Sequence, residues 1–134
     1  NLNSLIYKSI LDDSQHFVLS KGSFDLTKSV RVRVISVNIL DTTNFFTNKI
    51  IYNSLKHLTK YNQFALIIIN NYKSLKQKKS EQTKDNNILR HYGIGAQIIK
   101  DLGIKKMILV SRSKKKIISL EGFGLKITRQ EIIK

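Results

Sequence analysis

Cysteine does not occur among the 134 residues, so the chain forms no disulfide and offers no thiolate to a metal. That usage suits a cytoplasmic protein. Acidic side chains are scarce: nine, against 24 Lys and Arg, for a formal charge of +15. The longest unbroken apolar run is Phe64 to Ile69, far short of the ~20 residues that span a bilayer, and no membrane association is expected. No basic start followed by an apolar stretch and a cleavage site marks a signal peptide. The three histidines, His16, His57 and His91, share no ligand spacing.

The excess of positive charge gives the surface a field that attracts phosphates, nucleic acid or anionic lipid. The basic residues are mostly Lys, and Ile and Asn are just as swollen, which is what an AT-rich genome supplies. No Arg patch interleaved with aromatics is present, so a nucleic-acid partner is not favoured. The length fits one domain with a real core, spanning 1–134.

Along the chain, Leu5 to Ile10 and His16 to Ser20 read as short strands joined by the polar turn Asp12-Asp13-Ser14. Val30 to Leu40 opens with Val30, Val32 and Val34 alternating against Arg31 and Arg33, a half-buried strand whose cationic face is expected to be solvated. Phe46, Ile50, Ile51, Ser54, Leu55 and Leu58 trace a helix face that ends near Tyr61. His57 lies one position off that stripe with no acid nearby in sequence, and is expected at its solvent boundary. Phe64 to Ile69 has the length and branching of a buried strand.

Lys73 to Asn87 holds a single apolar residue, Leu75, and cannot bury enough surface to offset its ordering entropy; it is expected to be a mobile polar loop. Ile94, Ile98, Ile99 and Leu102 then recur at helical spacing, Gly103 follows as a left-handed cap, and Met107 to Val110 is a short strand. Ile94, Ile98, Ile99, Leu102, Met107 and Leu109 are the expected core. Ser111 to Lys116 is a basic loop, Ile117 to Leu120 a short turn or helix, and Gly122-Phe123-Gly124 a tight connection. Leu125 to Ile133 is an expected edge strand. The whole is a mixed α/β fold.

Periodicity stops there, but the residues Tyr92-Gly93-Ile94-Gly95-Ala96-Gln97-Ile98, then Asp101-Leu102-Gly103-Ile104-Lys105-Lys106-Met107, then Leu120-Glu121-Gly122-Phe123-Gly124-Leu125 resemble the C-terminal part of GTP cyclohydrolase II. A weaker match covers Tyr7, His16 to Gly22, and Arg33-Val34-x-Ser36. That family opens the guanine ring of GTP in riboflavin synthesis and is often fused behind 3,4-dihydroxy-2-butanone 4-phosphate synthase. The resemblance implies a mixed sheet with packed helices, a homodimer, and a synthase domain preceding Asn1.

It also implies what is gone. The family holds zinc with Cys, ten residues, Cys, one residue, Cys, following an Arg-Val-His-Ser-Glu strand end. In that register the sulfur positions fall on Asn38, Lys49 and Ile51, and no zinc is expected. The family's Arg-Gln-Glu-Gly-Arg, which reads phosphate and guanine, is replaced by Asn70-Asn71-Tyr72-Lys73-Ser74. The general-base Asp falls on Ile88, while the Arg that assists at the α-phosphate survives as Arg90. The Thr-Asn-Asn-Pro-x-Lys loop becomes Ser111 to Lys116.

The fold is therefore expected to lack the zinc-binding and substrate-loop segments, with no catalytic residues. One function is an inactive domain, kept for support of a fused synthase or for dimerisation. The alternative is a weak phosphate or nucleotide module built on Arg90, Ser111, Arg112 and Lys116. An active cyclohydrolase is disfavoured by the missing thiolates.

Overall fold

In a computed structural model that describes residues 2–9, 14–24, 27–37, 45–70, 93–113 and 124–133, six strands form one mixed sheet with a helix against each face. In chain order these are β1 (Asn3–Lys8), β2 (Gln15–Lys21), β3 (Val30–Val37), α1 (Phe45–Leu58), β4 (Phe64–Asn70), α2 (93–101), β5 (Lys106–Ser111) and β6 (Lys126–Ile132). Across the sheet the order is β1-β2-β4-β3-β5-β6. The β1–β2 and β2–β4 pairs are antiparallel; the β3–β4, β3–β5 and β5–β6 pairs are parallel.

β4 explains the division into two cores. Its side chains alternate, so Ala65, Ile67 and Ile69 join Ala96, Ile98 and Ile99 of α2 on one face. Phe64, Leu66 and Ile68 join Leu58 of α1 on the other. A strand covered on both sides reads as one apolar run, and this one does. Each fully buried Ile or Leu is worth about 1.5–3 kcal/mol relative to exposure. Met107 and Leu109 are buried as expected, whereas Ile94 and Leu102 are half-buried and pack against the rim of that core.

The strands match the sequence pattern with small shifts. β1 starts two residues before Leu5, and β6 is an outer strand. A bulge between Met107 and Ile108 puts Thr128 out of register, and its hydroxyl donates to the Met107 carbonyl at 3.2 Å. The polar segment Lys73 to Asn87, Asn38 to Leu40, and residues 114–123 lie outside the described residues.

Gly103 caps α2 at φ +82°, with Ile104 N–H donating to Ile99 C=O at 3.2 Å and Gly103 N–H to Lys100 C=O at 3.0 Å. At the other end, a Cβ on Gly95 would lie 3.4 Å from Val34 Cγ1, so the helix rides close on β3. The neighbouring parallel strands β3 and β4 are followed in the chain by helices on opposite faces, β3 by α1 and β4 by α2. Such a divergence opens the crevice where α/β sheets hold ligands.

Two glycines separate backbone strain from crowding. Gly103→Ala adds a methyl to open space and should cost about 1 kcal/mol through its positive φ alone. Gly22, at φ +89°, would place that methyl 2.7 Å from the Asn62 carbonyl, so Gly22→Ala should cost distinctly more. Urea denaturation of both variants is the measurement, and equal losses would contradict the packing described for Gly22.

Candidate functional site

Period-two alternation sends Arg31 and Arg33 from β3 to the α1 side of the sheet, beside Ile35 and Val37. Contrary to expectation, Arg33 is buried and Arg31 half-buried. The Arg31 Nε and Nη2 groups donate to Glu131 of β6, each at 3.3 Å, and its guanidinium lies 3.5 Å over the Tyr61 ring. The same carboxylate lies 2.6 Å from His57 Nε2 and 3.5 Å from Arg129 Nη2. His57 thus does meet an acid, one supplied from 74 residues away. Burial would raise the Glu131 carboxyl, but hydrogen bonds from His57 and Arg31, with the Arg31 charge, hold it below its ordinary value. One carboxylate serves two guanidinium groups and an imidazole here, and the cluster clasps β3, α1 and β6 together.

Arg33 is only 6% exposed. Its Nε donates to Ser54 Oγ at 2.7 Å and its Nη1 to the Val110 carbonyl at 3.4 Å. The Ser54 hydroxyl in turn donates to Ile50 C=O, one turn earlier in α1. Burial lowers the Arg33 pKa, and the neighbouring Arg112 charge lowers it further. A cavity of about 260 Å³ opens here, lined by Arg33, Lys49, Ile50, Asn53, Ser54, Arg112 and Ile133. A second, of about 220 Å³, shares Arg33, Ile50 and Arg112 and runs past the C-terminal ends of β3 and β5 to Ser36 and Ser111.

Of the four residues expected to bind phosphate, Arg112 lines both cavities and Ser111 lines the second. The Ser111 hydroxyl donates to Ser113 C=O at 2.7 Å, so its proton is spent within the loop. Arg90 and Lys116 lie outside the described residues. Lys49, Asn53 and Arg33 were missed in sequence because α1 and β3 bring them to Arg112 from 59 or more positions away.

Zinc does not fit the residues that would have to hold it. Lys49 is exposed on α1 and Ile51 packs against the apolar core beneath that helix, while Asn38 lies outside the described residues. An ammonium and an alkyl group donate no lone pair to Zn²⁺. Among the described residues, no three His, Cys, Asp or Glu side chains cluster at metal-binding range.

A third cavity, of about 530 Å³, lies on the opposite face between β1, β2 and α2. There Tyr7 donates to Asp101 Oδ2 at 2.7 Å, and burial, the Asp101 hydrogen bond and the Asp101 charge push the phenol up to about 12. His16 accepts at Nδ1 from the Asn70 N–H at 3.1 Å, which leaves its proton on Nε2, 3.0 Å from Ser14 Oγ. Burial lowers its pKa, because desolvation disfavours the charged ring. These bonds tie β1 to α2 and β2 to the end of β4.

Comparison with known proteins accords with this geometry. A family model described as GTP cyclohydrolase II matches residues 1–131. The riboflavin biosynthesis protein RibBA of Bacillus cytotoxicus is 27% identical over 146 aligned residues, covering 92% of this chain and 37% of that protein. A 3,4-dihydroxy-2-butanone 4-phosphate synthase of Photobacterium phosphoreum is 29% identical, with the same two coverages. Over 46 residues, the RibBA of Aquifex aeolicus reaches 54% identity. The crystal structure of RibBX, a two-domain 3,4-dihydroxy-2-butanone 4-phosphate synthase from A. baumannii, superposes with a TM-score of 0.59 at 21% identity, covering 98% of this chain and 39% of that one. The chain thus spans about two fifths of the length of relatives that it matches end to end.

The Glu131 cluster predicts a definite pH dependence. Its folded pKa lies below the unfolded value of ~4.3, so its stabilisation is complete above that value and is lost as pH falls through the folded one. Glu131→Gln should cost about 1–3 kcal/mol at neutral pH, by leaving Arg31 unpaired. The gap between variant and wild type should narrow on acidification from neutral pH, as pH falls through the lowered value of the folded carboxyl. Urea midpoints that stay equally far apart across that range would contradict the assignment.

Proposed function

The chain belongs to the GTP cyclohydrolase II family, and from that premise we propose that it is a catalytically inactive member, the riboflavin-biosynthesis scaffold without its chemistry. The observation that carries this is the complete absence of cysteine, which removes the thiolate set on which the family's zinc depends. Ile88 at the general-base position supports the same conclusion, since an alkyl group moves no proton. So does the change from the family's guanine-reading motif to Asn70-Asn71-Tyr72-Lys73-Ser74, which carries no guanidinium or carboxylate. On this view the zinc-binding and substrate-loop segments have been lost while the sheet and both helices remain.

We assign the domain a supporting role beside a 3,4-dihydroxy-2-butanone 4-phosphate synthase in a longer cytoplasmic polypeptide. Support comes from relatives more than twice its length, two of which carry that synthase in their descriptions. Self-association is part of the proposal. β1 is an outer strand whose Leu5 and Ile6 are 42% and 66% exposed, a surface suited to pairing with a second copy.

The purified protein should contain no stoichiometric zinc and release no formate from GTP. One equivalent of zinc by elemental analysis together with turnover of GTP would end this proposal. Sedimentation should give a dimer that Ile6→Lys converts to a monomer, since an ammonium at 66% exposure leaves the fold intact while charging the edge. A monomeric wild type would exclude the self-association.

A further inference from the structure

The cavity between β3, α1 and the end of β5 has the wrong chemistry for an inert remnant. Three cationic side chains, Arg33, Lys49 and Arg112, line it, and no acid is among its described lining. Among the described residues on that side, the carboxylate of Glu131 is already engaged by Arg31, His57 and Arg129. Like charges held at one cavity repel, and the buried Arg33 already carries the cost of desolvation. Internal bonds use Arg33 Nε and Nη1, which fixes the guanidinium plane at the cavity wall. Lys49 and Arg112 are exposed and free to close on a ligand, with the Asn53 amide beside Lys49 one turn along α1.

We propose that Arg33, Lys49 and Arg112 form an anion site for the phosphoryl group of a short-chain phosphate monoester, Lys49 supplying positive charge at a position where the resemblance puts a zinc-binding thiolate. A phosphoryl dianion matches this set, because Arg presents a planar fork to its oxygens and Lys a mobile point charge. The adjoining cavity gives room for a few carbons, and Ser36 and Asn53 offer polar groups to hydroxyls on them. At about 260 and 220 Å³ the two adjoining cavities together lie at the lower end of the ~300–1,000 Å³ of small-molecule sites, which favours a fragment-sized ester over a nucleoside triphosphate. Their position at the C-terminal ends of parallel strands β3 and β5 is where α/β sheets place ligands. The proposal moves the binding role from the 111–116 loop to α1 and β3, with Arg112 as the shared member.

Calorimetry at low salt with glycerol 3-phosphate, inorganic phosphate and GTP tests it. Glycerol 3-phosphate should bind saturably and weaken steeply as salt rises. Lys49→Gln and Arg112→Gln should each weaken it tenfold or more, and Arg112→Lys less than Arg112→Gln. Lys56→Gln, an exposed charge further along α1, should leave binding unchanged. Melting temperatures of all variants should match wild type, since none of these side chains is buried. Absence of saturable heat, or equal weakening by Lys56→Gln, would overturn the site. Inorganic phosphate binding as tightly as the ester, or a tenfold preference for GTP, would overturn the ester assignment. Zinc content and formate release are independent of these titrations, so either proposal can fail alone.

Discussion

A guanidinium inside a protein must find acceptors, and the α1 side of this molecule is arranged around that demand at Arg33. Its two bonds fix α1 through Ser54 and β5 through the Val110 carbonyl, so one side chain sets the height of a helix and the approach of a strand. Hydrogen bonds to a charged group contribute about 1.5–3 kcal/mol each, more than an exposed ion pair does. Arg31 repeats the device two residues earlier through Glu131. On the α2 side Val30, Val32, Ala65, Ile67, Ile99 and Met107 meet by apolar contact, with polar ties at the rim through Tyr7 and His16.

This division accounts for what the sequence disclosed. Helix α2 was legible because Ile98 and Ile99 point one way and Gly103 can take a positive φ that other residues resist. β4 was legible because six apolar residues in a row have only one use in a domain of this size. The cationic face of β3 was misread because alternation with Arg resembles a strand with one wet face. A signal did exist: apolar residues occupy Val30, Val32 and Val34, then shift phase to Ile35 and Val37, so both faces of β3 are covered. The acceptors that make this tolerable lie 21 to 100 positions away, and no local pattern announces them.

The candidate site was half legible for the same reason. Ser111 and Arg112 stood out beside a family loop, whereas Lys49 and Asn53 look like ordinary helix surface until α1 is laid across β3. Family membership fixes the scaffold; the site is decided by the side chains set upon it. A core built on both faces of β4 owes nothing to a metal, so thiolates could be exchanged for Lys and Ile without removing what holds the sheet together.

The Arg31–Glu131 pair joins positions 100 apart, and that distance orders events as the protein folds. β1 and β2 meet as neighbours, and β3, α1 and β4 close as one compact crossover, all at modest loop entropy. β5 and β6 arrive from far along the chain, and pairings of such long range are slow. Until they dock, Arg31 has no carboxylate and Arg33 lacks its β5 acceptor, so a half-built sheet carries naked positive charge beside exposed Phe64 and Leu66. Net charge of one sign opposes the association of chains that expose such a face, and at +15 this chain carries that repulsion whether or not β5 and β6 have docked.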